Sequence, residues 1–143
     1  MTGVLDACAL IAWLKNEPGA DVVDDLLDRA EEGETDLYIS IVNLVEVYYG
    51  FMKDLGEDHA REIMQTVRET AVMVIDTTDG AVFDEVARLK STLKQFSLAD
   101  AFGLAAASVY GGAFVTCDHH ELAKFEGQIK TPFLWIRPAP QTT

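Results

Sequence analysis

Short apolar runs alternate along the chain with longer stretches in which apolar residues recur at helical spacing. The apolar runs predict strands at Gly3–Asp6, Leu37–Ile39, Val72–Ile75, Ala113–Thr116 and Phe133–Ile136. The periodic stretches predict helices over Ala7–Lys15, a segment from Val22 toward Gly33, Ile41–Lys53, His59–Thr70, Ala81–Lys94, Ser97–Tyr110 and Asp118–Lys124. Strands that alternate with helices predict an α/β fold with a mostly parallel central sheet.

The length and composition favour one globular domain over residues 1–143. The chain has 143 residues, of which 49 % are apolar, and it contains neither an internal repeat nor a linker. No apolar stretch approaches the roughly 18 residues of a membrane helix, and the N-terminus lacks the basic region of a signal peptide. Two cysteines without a C-x-x-C spacing do not make a disulfide framework, so we expect a reduced, cytoplasmic chain that is not bound to a membrane.

The charge of the chain argues at first against a nucleic-acid ligand. Lys and Arg number 11 and Asp and Glu 24, which gives a net charge of −13, whereas phosphate binding is driven by Lys and Arg. Eight of the acidic residues lie between Asp21 and Asp36, where Arg29 is the single basic residue. Such a run is typical of a solvated helix face, and the alternative is a docking surface for a basic partner.

Four carboxylates occupy positions that predict a common site. Asp6 closes the first predicted strand and Asp118 follows the strand Ala113–Thr116, so both lie at the carboxyl edge of a parallel sheet, where sites form. Glu46 stands within an apolar helical segment, and Asp100 lies one turn into another helix. Glu is rarely buried without a partner, so Glu46 is expected to face something other than bulk water.

Each aspartate also has a purely local interpretation. Asp6 and Asp118 are at positions where Asp caps a following helix, and Ser97-x-x-Asp100 resembles a capping box. The combination favours a site, because four carboxylates without adjacent Lys or Arg would repel one another in a cleft. A hard divalent cation, Mg²⁺ or Mn²⁺, is the natural compensation, and it can bind phosphate oxygens and activate a water.

Four segments together resemble the PIN domain, and within it the VapC-type toxins of prokaryotic toxin–antitoxin systems. They are Val4-Leu5-Asp6-Ala7, Asn43-Leu44-Val45-Glu46, Ser97-Leu98-Ala99-Asp100-Ala101 and Val115-Thr116-Cys117-Asp118. The resemblance covers essentially the whole chain. It implies a three-layer α/β/α sandwich and a metal-dependent endoribonuclease that leaves a 5′-phosphate and a 3′-hydroxyl. It also implies inhibition by a cognate antitoxin and a homodimer.

The resemblance also assigns roles to individual residues. The acidic quartet of the family maps onto Asp6, Glu46, Asp100 and Asp118: the three aspartates are expected to ligate the metal, and Glu46 to ligate a second ion or orient the attacking water. Thr116 and Asn43 are candidates for hydrogen bonds to a carboxylate, a water or the phosphate. For Asn43, capping in the first turn of its helix is an equal alternative.

Cys8 and Cys117 depart from the family pattern, in which various small residues stand at these positions. Both cysteines are expected to flank the site, as small apolar fillers or as a pair close enough to oxidise and inactivate it. The sequence does not say whether they interact.

Further residues have weaker functional interpretations. His119-His120 does not predict a zinc site, because adjacent residues do not share a helix face. Tyr48 and Tyr49 beside Glu46 are expected in the core or in a dimer interface. Seven cations are candidate phosphate contacts, although a solvated surface position is more typical of each: Lys15, Lys53, Arg61, Arg68, Arg88, Lys90 and Lys94.

Two other functions remain open from the sequence. A haloacid-dehalogenase-like phosphatase also places an Asp after the first strand, but it requires a second Asp where this chain has Cys8, and a downstream Lys motif that is not found. A catalytically silent PIN-like module that binds RNA or protein is the other alternative.

Overall fold

The strands form one parallel sheet in the computed structural model of the chain, which describes residues 1–76, 80–93 and 95–141. Its five strands are β1 (Thr2–Leu5), β2 (Asp36–Ser40), β3 (Met73–Ile75), β4 (Ala113–Thr116) and β5 (Phe133–Trp135). They are ordered β3-β2-β1-β4-β5, and every neighbouring pair is parallel. The predicted mostly parallel sheet is confirmed, with β1 at its centre and β4 beside it.

Helices cover both faces of this sheet. They are α1 (Ala7–Leu14), α2 (Ala20–Glu31), α3 (Ile41–Leu55), α4 (Glu57–Arg68), α5 (Gly80–Thr92), α6 (Leu98–Tyr110) and the short α7 (His119–Leu122), which continues into a 3₁₀ turn (Ala123–Phe125). Helices α1 to α4 contribute to one apolar core and helices α5 to α7 to the other. The three-layer α/β/α sandwich is therefore confirmed.

The strand sequences explain why both faces are covered. In β1, Leu5 belongs to the core under α1 to α4, whereas the preceding Val4 belongs to the core under α5 and α6. In β4, Val115 and Phe114 alternate in the same way, and all four side chains are completely buried. Successive side chains of a strand point to opposite faces, so a run that is apolar at every position requires helices on both sides.

Helix α6 is rich in Ala and Gly, and these small residues let it pack closely against the sheet. A Cβ placed on Gly103 would lie 2.8 Å from Cζ of Phe114, which is closer than real carbon contacts allow. The capping glycine Gly111 then ends the helix in a left-handed conformation at φ 70°. This close approach brings the first turn of α6 to the carboxyl edge of β1 and β4.

The boundaries differ from the predictions at a few ends. Helix α4 begins at Glu57, two residues before the predicted start, because acidic residues suit a first helical turn. Helix α5 extends to Thr92. Its predicted last residue, Lys94, lies outside the described residues. Strand β3 lies at the edge of the sheet: among the described strands it pairs with β2 alone, and Met73 and Val74 are 44 % and 40 % exposed.

No helix within the described residues is both long and apolar enough to span a membrane.

Candidate functional site

A cleft of about 440 Å³ opens at the carboxyl edge of β1 and β4 and contains all four predicted carboxylates. It is lined by Asp6, Ala7, Cys8, Ile11, Glu46, Tyr49, Ser97, Asp100, Asp118 and Glu121. Strand ends supply the segments of Asp6 and Asp118, while α3 and α6 supply Glu46 and Asp100. Four segments that are far apart in the sequence therefore converge on one cleft.

Asp6 is held by two hydrogen bonds with different purposes. Its Oδ1 accepts a 2.8 Å bond from the backbone N–H of Ala7 and thereby caps α1. Its Oδ2 accepts a 2.8 Å bond from the Thr116 hydroxyl. The predicted cap is therefore present, and it uses one carboxylate oxygen while Thr116 orients the other across the sheet.

Thr116 connects Asp6 to the second strand-end carboxylate. Its Oγ1 donates to Asp6 and accepts a 3.1 Å bond from the backbone N–H of Asp118. Asp118 in turn accepts a 3.1 Å bond from the N–H of Glu121, so it caps α7. The predicted contact of Thr116 with a site carboxylate is therefore present, and it fixes the adjacent ends of β1 and β4.

Asp100 lies in the first turn of α6, where Ser97 caps the helix. The Ser97 hydroxyl accepts a 3.0 Å bond from the backbone N–H of Asp100. The pKa of Asp100 is raised to about 6: burial is the main cause, hydrogen bonds with Ser97 oppose the shift, and the negative charges of Asp118 and Glu46 add to it. This capping box therefore presents a carboxyl group whose ionisation is unfavourable where it stands.

Asn43 links Glu46 to α6. Its side chain is fully buried, and its Nδ2 donates to the Ala99 carbonyl at 3.2 Å and to Oε1 of Glu46 at 3.4 Å. The cap of α3 is Ser40, whose hydroxyl accepts from the N–H of Val42, so the alternative of a capping role for Asn43 was wrong. The Oδ1 of Asn43 has no hydrogen-bond partner within the described residues.

The electrostatics of the cleft are dominated by negative charge. Burial is the main reason that the pKa of Asp6 lies well above its ordinary value, and repulsion from Cys8 and Asp100 adds to it. Burial likewise raises the pKa of Glu46, against the hydrogen bond from Asn43. No ion pair of the described residues involves any of the four carboxylates. A positive charge placed in the cleft would relieve this repulsion.

The donor chemistry fits a hard divalent cation. Carboxylate oxygens are the ligands that Mg²⁺ and Mn²⁺ prefer, and the four side chains face the same cleft. In residues 1–76, 80–93 and 95–141, however, no three His, Cys, Asp or Glu side chains stand close enough together to hold one ion. The four carboxylates therefore share one cleft but do not form a closed set of ligands in this structure.

The structure brings Cys8 and Cys117 together beside Asp6. The Cys8 Sγ lies 3.6 Å from Oδ2 of Asp6 and 3.5 Å from Oγ1 of Thr116, and it accepts a 3.2 Å bond from the backbone N–H of Cys117. A hydrogen bond between the thiols raises the pKa of Cys8 and lowers that of Cys117, while burial raises both. The two cysteines contact each other as well as the site.

Three of the weaker sequence interpretations can now be resolved. Tyr49 is 51 % exposed and lines the cleft, so the core is excluded for this residue and the dimer interface stays a prediction. Lys90 donates a 2.7 Å bond to the Phe96 carbonyl, so its charge stabilises the loop before α6. The His119 ring stacks on the Trp135 ring with 4.0 Å between the centroids, so this histidine has a packing role.

Glu121 is a cleft residue that the sequence reasoning did not assign to the site. It stands three residues after Asp118. The same spacing places it one helical turn from Asp118, and that signal was sufficient to find it.

Comparison with known proteins places the chain among related sequences and folds. The family model of the PIN domain matches residues 3–127. A comparison with curated proteins gave no significant match.

Three solved structures with a similar fold are two VapBC structures and one toxin. VapBC-1 from nontypeable Haemophilus influenzae has a TM-score of 0.73 and 18 % identity, covering 95 % of this chain and 98 % of that chain. VapBC2 from Rickettsia felis, bound to a DNA fragment from its promoter, has a TM-score of 0.71 and 19 % identity, covering 94 % and 97 %. The sarcin–ricin-loop-cleaving toxin VapC20 from Mycobacterium tuberculosis has a TM-score of 0.53 and 16 % identity, covering 77 % and 84 %. At these identities the likeness concerns the fold.

Proposed function

The chain belongs to the PIN domain family, and from this premise we propose that it is a metal-dependent endoribonuclease and the toxin of a toxin–antitoxin pair. The observation that carries the proposal is the convergence of Asp6, Glu46, Asp100 and Asp118 on one cleft at the carboxyl edge of a parallel sheet. Two of the structural neighbours are VapBC complexes, and a third is a toxin that cleaves the sarcin–ricin loop, which supports RNA as the substrate.

Asp6, Asp100 and Asp118 would hold Mg²⁺ or Mn²⁺, and Glu46 would hold a second ion or orient the attacking water. A divalent cation in the cleft supplies charge neutralisation for a phosphodiester and lowers the pKa of water at neutral pH. The raised pKa values of Asp6, Glu46 and Asp100 support this assignment, because a bound cation stabilises the ionised carboxylates that burial disfavours.

The surrounding residues would orient the carboxylates. The Thr116 hydroxyl bonds both to Oδ2 of Asp6 and to the backbone N–H of Asp118, so it would keep these two groups close together. Asn43 donates to Glu46 while it is anchored on the Ala99 carbonyl, so the orientation of Glu46 follows the position of α6. Such hydrogen bonds keep ligands in place and commonly change metal affinity by about 10- to 100-fold when removed.

The test is RNA cleavage by the purified chain, freed of any bound partner. Structured RNA is incubated with the chain in Mn²⁺. The two control reactions contain the chain in EDTA and the Asp6→Asn variant in Mn²⁺. We expect metal-dependent cutting that leaves 5′-phosphate ends and is lost in the variant. Asp58→Asn is the matched control, because the Asp58 side chain is 98 % exposed on α4 and away from the cleft residues.

Each other outcome assigns a different function. Hydrolysis of small phosphomonoesters without RNA cutting would favour the haloacid-dehalogenase-like phosphatase. RNA binding without cutting in Mn²⁺ would favour a catalytically silent module. Cutting that persists in EDTA, or in Asp6→Asn, would contradict the proposed metal centre.

The proposed partners are a cognate antitoxin and a second copy of the chain. Exposed apolar side chains follow one face of α3 at Ile41, Val45 and Tyr49, with exposed fractions of 36 %, 51 % and 51 %. Spacings of four residues place the three on one stripe, which supports a protein partner there. Light scattering should give a molecular mass twice the 15.7 kDa of one chain. The Val45→Asp variant should give the mass of a single chain. A dimer that persists in this variant would exclude the stripe as its interface.

A further inference from the structure

The thiol of Cys8 lies at the junction between the active cleft and Cys117. Its sulfur is 3.2 Å from the backbone nitrogen of Cys117, an atom only two bonds from the Cβ of that residue. A disulfide needs two sulfurs about 2 Å apart, and the chain already holds the Cys8 sulfur against the backbone of its partner.

The pair differs in exposure in a way that suits stepwise oxidation. Cys8 is partly exposed and lines the cleft, whereas Cys117 is buried behind it. A small oxidant that enters the cleft therefore meets Cys8 first. Cys117 is then in place to react with the oxidised sulfur, as a resolving cysteine does.

We propose that Cys8 and Cys117 are a peroxide-sensitive pair that closes to an intrachain disulfide and weakens cation binding in the cleft. In the first step the Cys8 sulfur attacks hydrogen peroxide: an S–O bond forms, the O–O bond breaks, and water leaves with the thiol proton. In the second step the Cys117 sulfur attacks Cys8: the S–S bond forms, the S–O bond breaks, and a second water leaves. Two thiols are oxidised, and one peroxide is reduced to two waters.

The disulfide acts on the site through Asp6. The Cys8 thiol is within donating distance of Oδ2 of Asp6, and Cys8 belongs to the helical turn that Asp6 caps. Closure removes this S–H group and draws the first turn of α1 toward the end of β4, so the orientation of Asp6 toward the cleft changes. This consequence rests on the proposed metal centre, whereas formation of the disulfide does not.

The experiment measures the bond and the metal separately on the full chain. The reduced chain is treated with hydrogen peroxide, and unreacted thiols are then alkylated. Mass spectrometry without reduction should show the loss of two hydrogen atoms and a peptide that joins Cys8 to Cys117. Calorimetric Mn²⁺ affinity should fall at least about tenfold, in the range typical of disturbed ligand orientation, and dithiothreitol should restore it.

Two variants serve as controls. Each variant lacks one of the two sulfurs, so neither can form the bond. Cys8→Ser keeps a hydroxyl near Asp6 and has no sulfur to oxidise there, so its Mn²⁺ affinity should be the same before and after peroxide, whereas Cys117→Ala should stop at the Cys8 sulfenic acid and give no joined peptide. A disulfide between two chains, or oxidation of Cys8 beyond the sulfenic acid without an intrachain bond, would overturn the inference. A disulfide that leaves Mn²⁺ affinity unchanged would overturn its effect on the site. Absence of Mn²⁺ binding by the reduced chain would instead contradict the proposed metal centre.

Discussion

The Thr116 hydroxyl donates a 2.8 Å hydrogen bond to Oδ2 of Asp6, a residue 110 positions earlier in the chain. Both side chains are buried, Thr116 completely and Asp6 to all but 4 %. The bond crosses from β4 to the end of β1, and the same hydroxyl accepts from the N–H of Asp118. One hydroxyl therefore binds both the carboxylate of Asp6 and the backbone of Asp118, at the adjacent ends of the two strands.

Replacement of Thr116 by Val should weaken metal binding while it preserves the fold. Val has almost the same shape as Thr, but it offers Asp6 no donor and Asp118 no acceptor. We expect Mn²⁺ affinity to fall by about 10- to 100-fold, measured by calorimetry. Thr116→Ser is the matched control, since it keeps the hydroxyl and should stay near the parent affinity. Equal losses in the two variants would show that the methyl group, and not the hydrogen bond, is responsible.

Replacement of Gly103 by Ala should destabilise the fold through the contact between α6 and the sheet. The added Cβ would overlap the Phe114 ring, which is completely buried and has little room to move. Overpacking of this kind costs about 1–3 kcal/mol, to be measured by urea unfolding.

Gly50→Ala is the matched control in α3, where an added Cβ meets nothing within 4 Å. This variant should stabilise the chain by about 0.5–1 kcal/mol, because Ala is the better helix former. A Gly103→Ala variant as stable as the parent would mean that α6 can move away from β4 without cost.

The raised pKa of Asp100 predicts how stability changes with pH when no metal is added. Its pKa is about 6 in the folded chain against an ordinary 3.8, so the folded state binds this proton more tightly than the unfolded state. The contribution of Asp100 to the free energy of unfolding therefore decreases as the pH rises from about 4 to about 6, and it stays low above that range.

Asp100→Asn removes this ionisation. In EDTA at pH 7 the variant should be more stable than the parent by about 1 kcal/mol, and the difference should vanish near pH 4. Urea unfolding at the two pH values measures both effects, and Asp58→Asn controls for the loss of one exposed charge. A variant less stable than the parent at pH 7 would contradict the unfavourable ionisation of Asp100.

The strand-end carboxylates were predictable because local rules determine them. Apolar runs located β1 and β4, parallel strands align their carboxyl ends, and Asp6 and Asp118 follow these runs directly. Ser97 marked the start of α6 in the same local way, since a hydroxyl before a helix satisfies its first free N–H groups.

The contacts between elements were not predictable from periodicity. The bond from Asn43 to the Ala99 carbonyl depends on how α3 packs against α6, and no spacing within either helix encodes that distance. The edge position of β3 depends on strand order, which a β-branched sequence does not specify. Cys8 and Cys117 were predicted to flank the site, but only the packing of α1 against β4 brings the Cys8 sulfur to 3.2 Å from the backbone nitrogen of Cys117.

The distribution of charge predicts that RNA binding depends on the metal. Eight acids and one base between Asp21 and Asp36 leave a net charge of −6 on the remainder of the chain. Two divalent ions in the cleft would bring this to about −2 and would place positive charge where the phosphate must lie. Without them the cleft repels RNA through the carboxylates that line it.

The measurement is fluorescence anisotropy with a labelled structured RNA, in EDTA and in Ca²⁺, a cation that also binds carboxylate oxygens. We expect affinity at least about tenfold higher in Ca²⁺, because close opposite charges outweigh a screened surface charge. The Asp6→Asn, Asp100→Asn double variant should lose this difference, since it removes two of the proposed ligands. Tight RNA binding in EDTA would contradict the prediction, because it would require a cationic surface separate from the cleft.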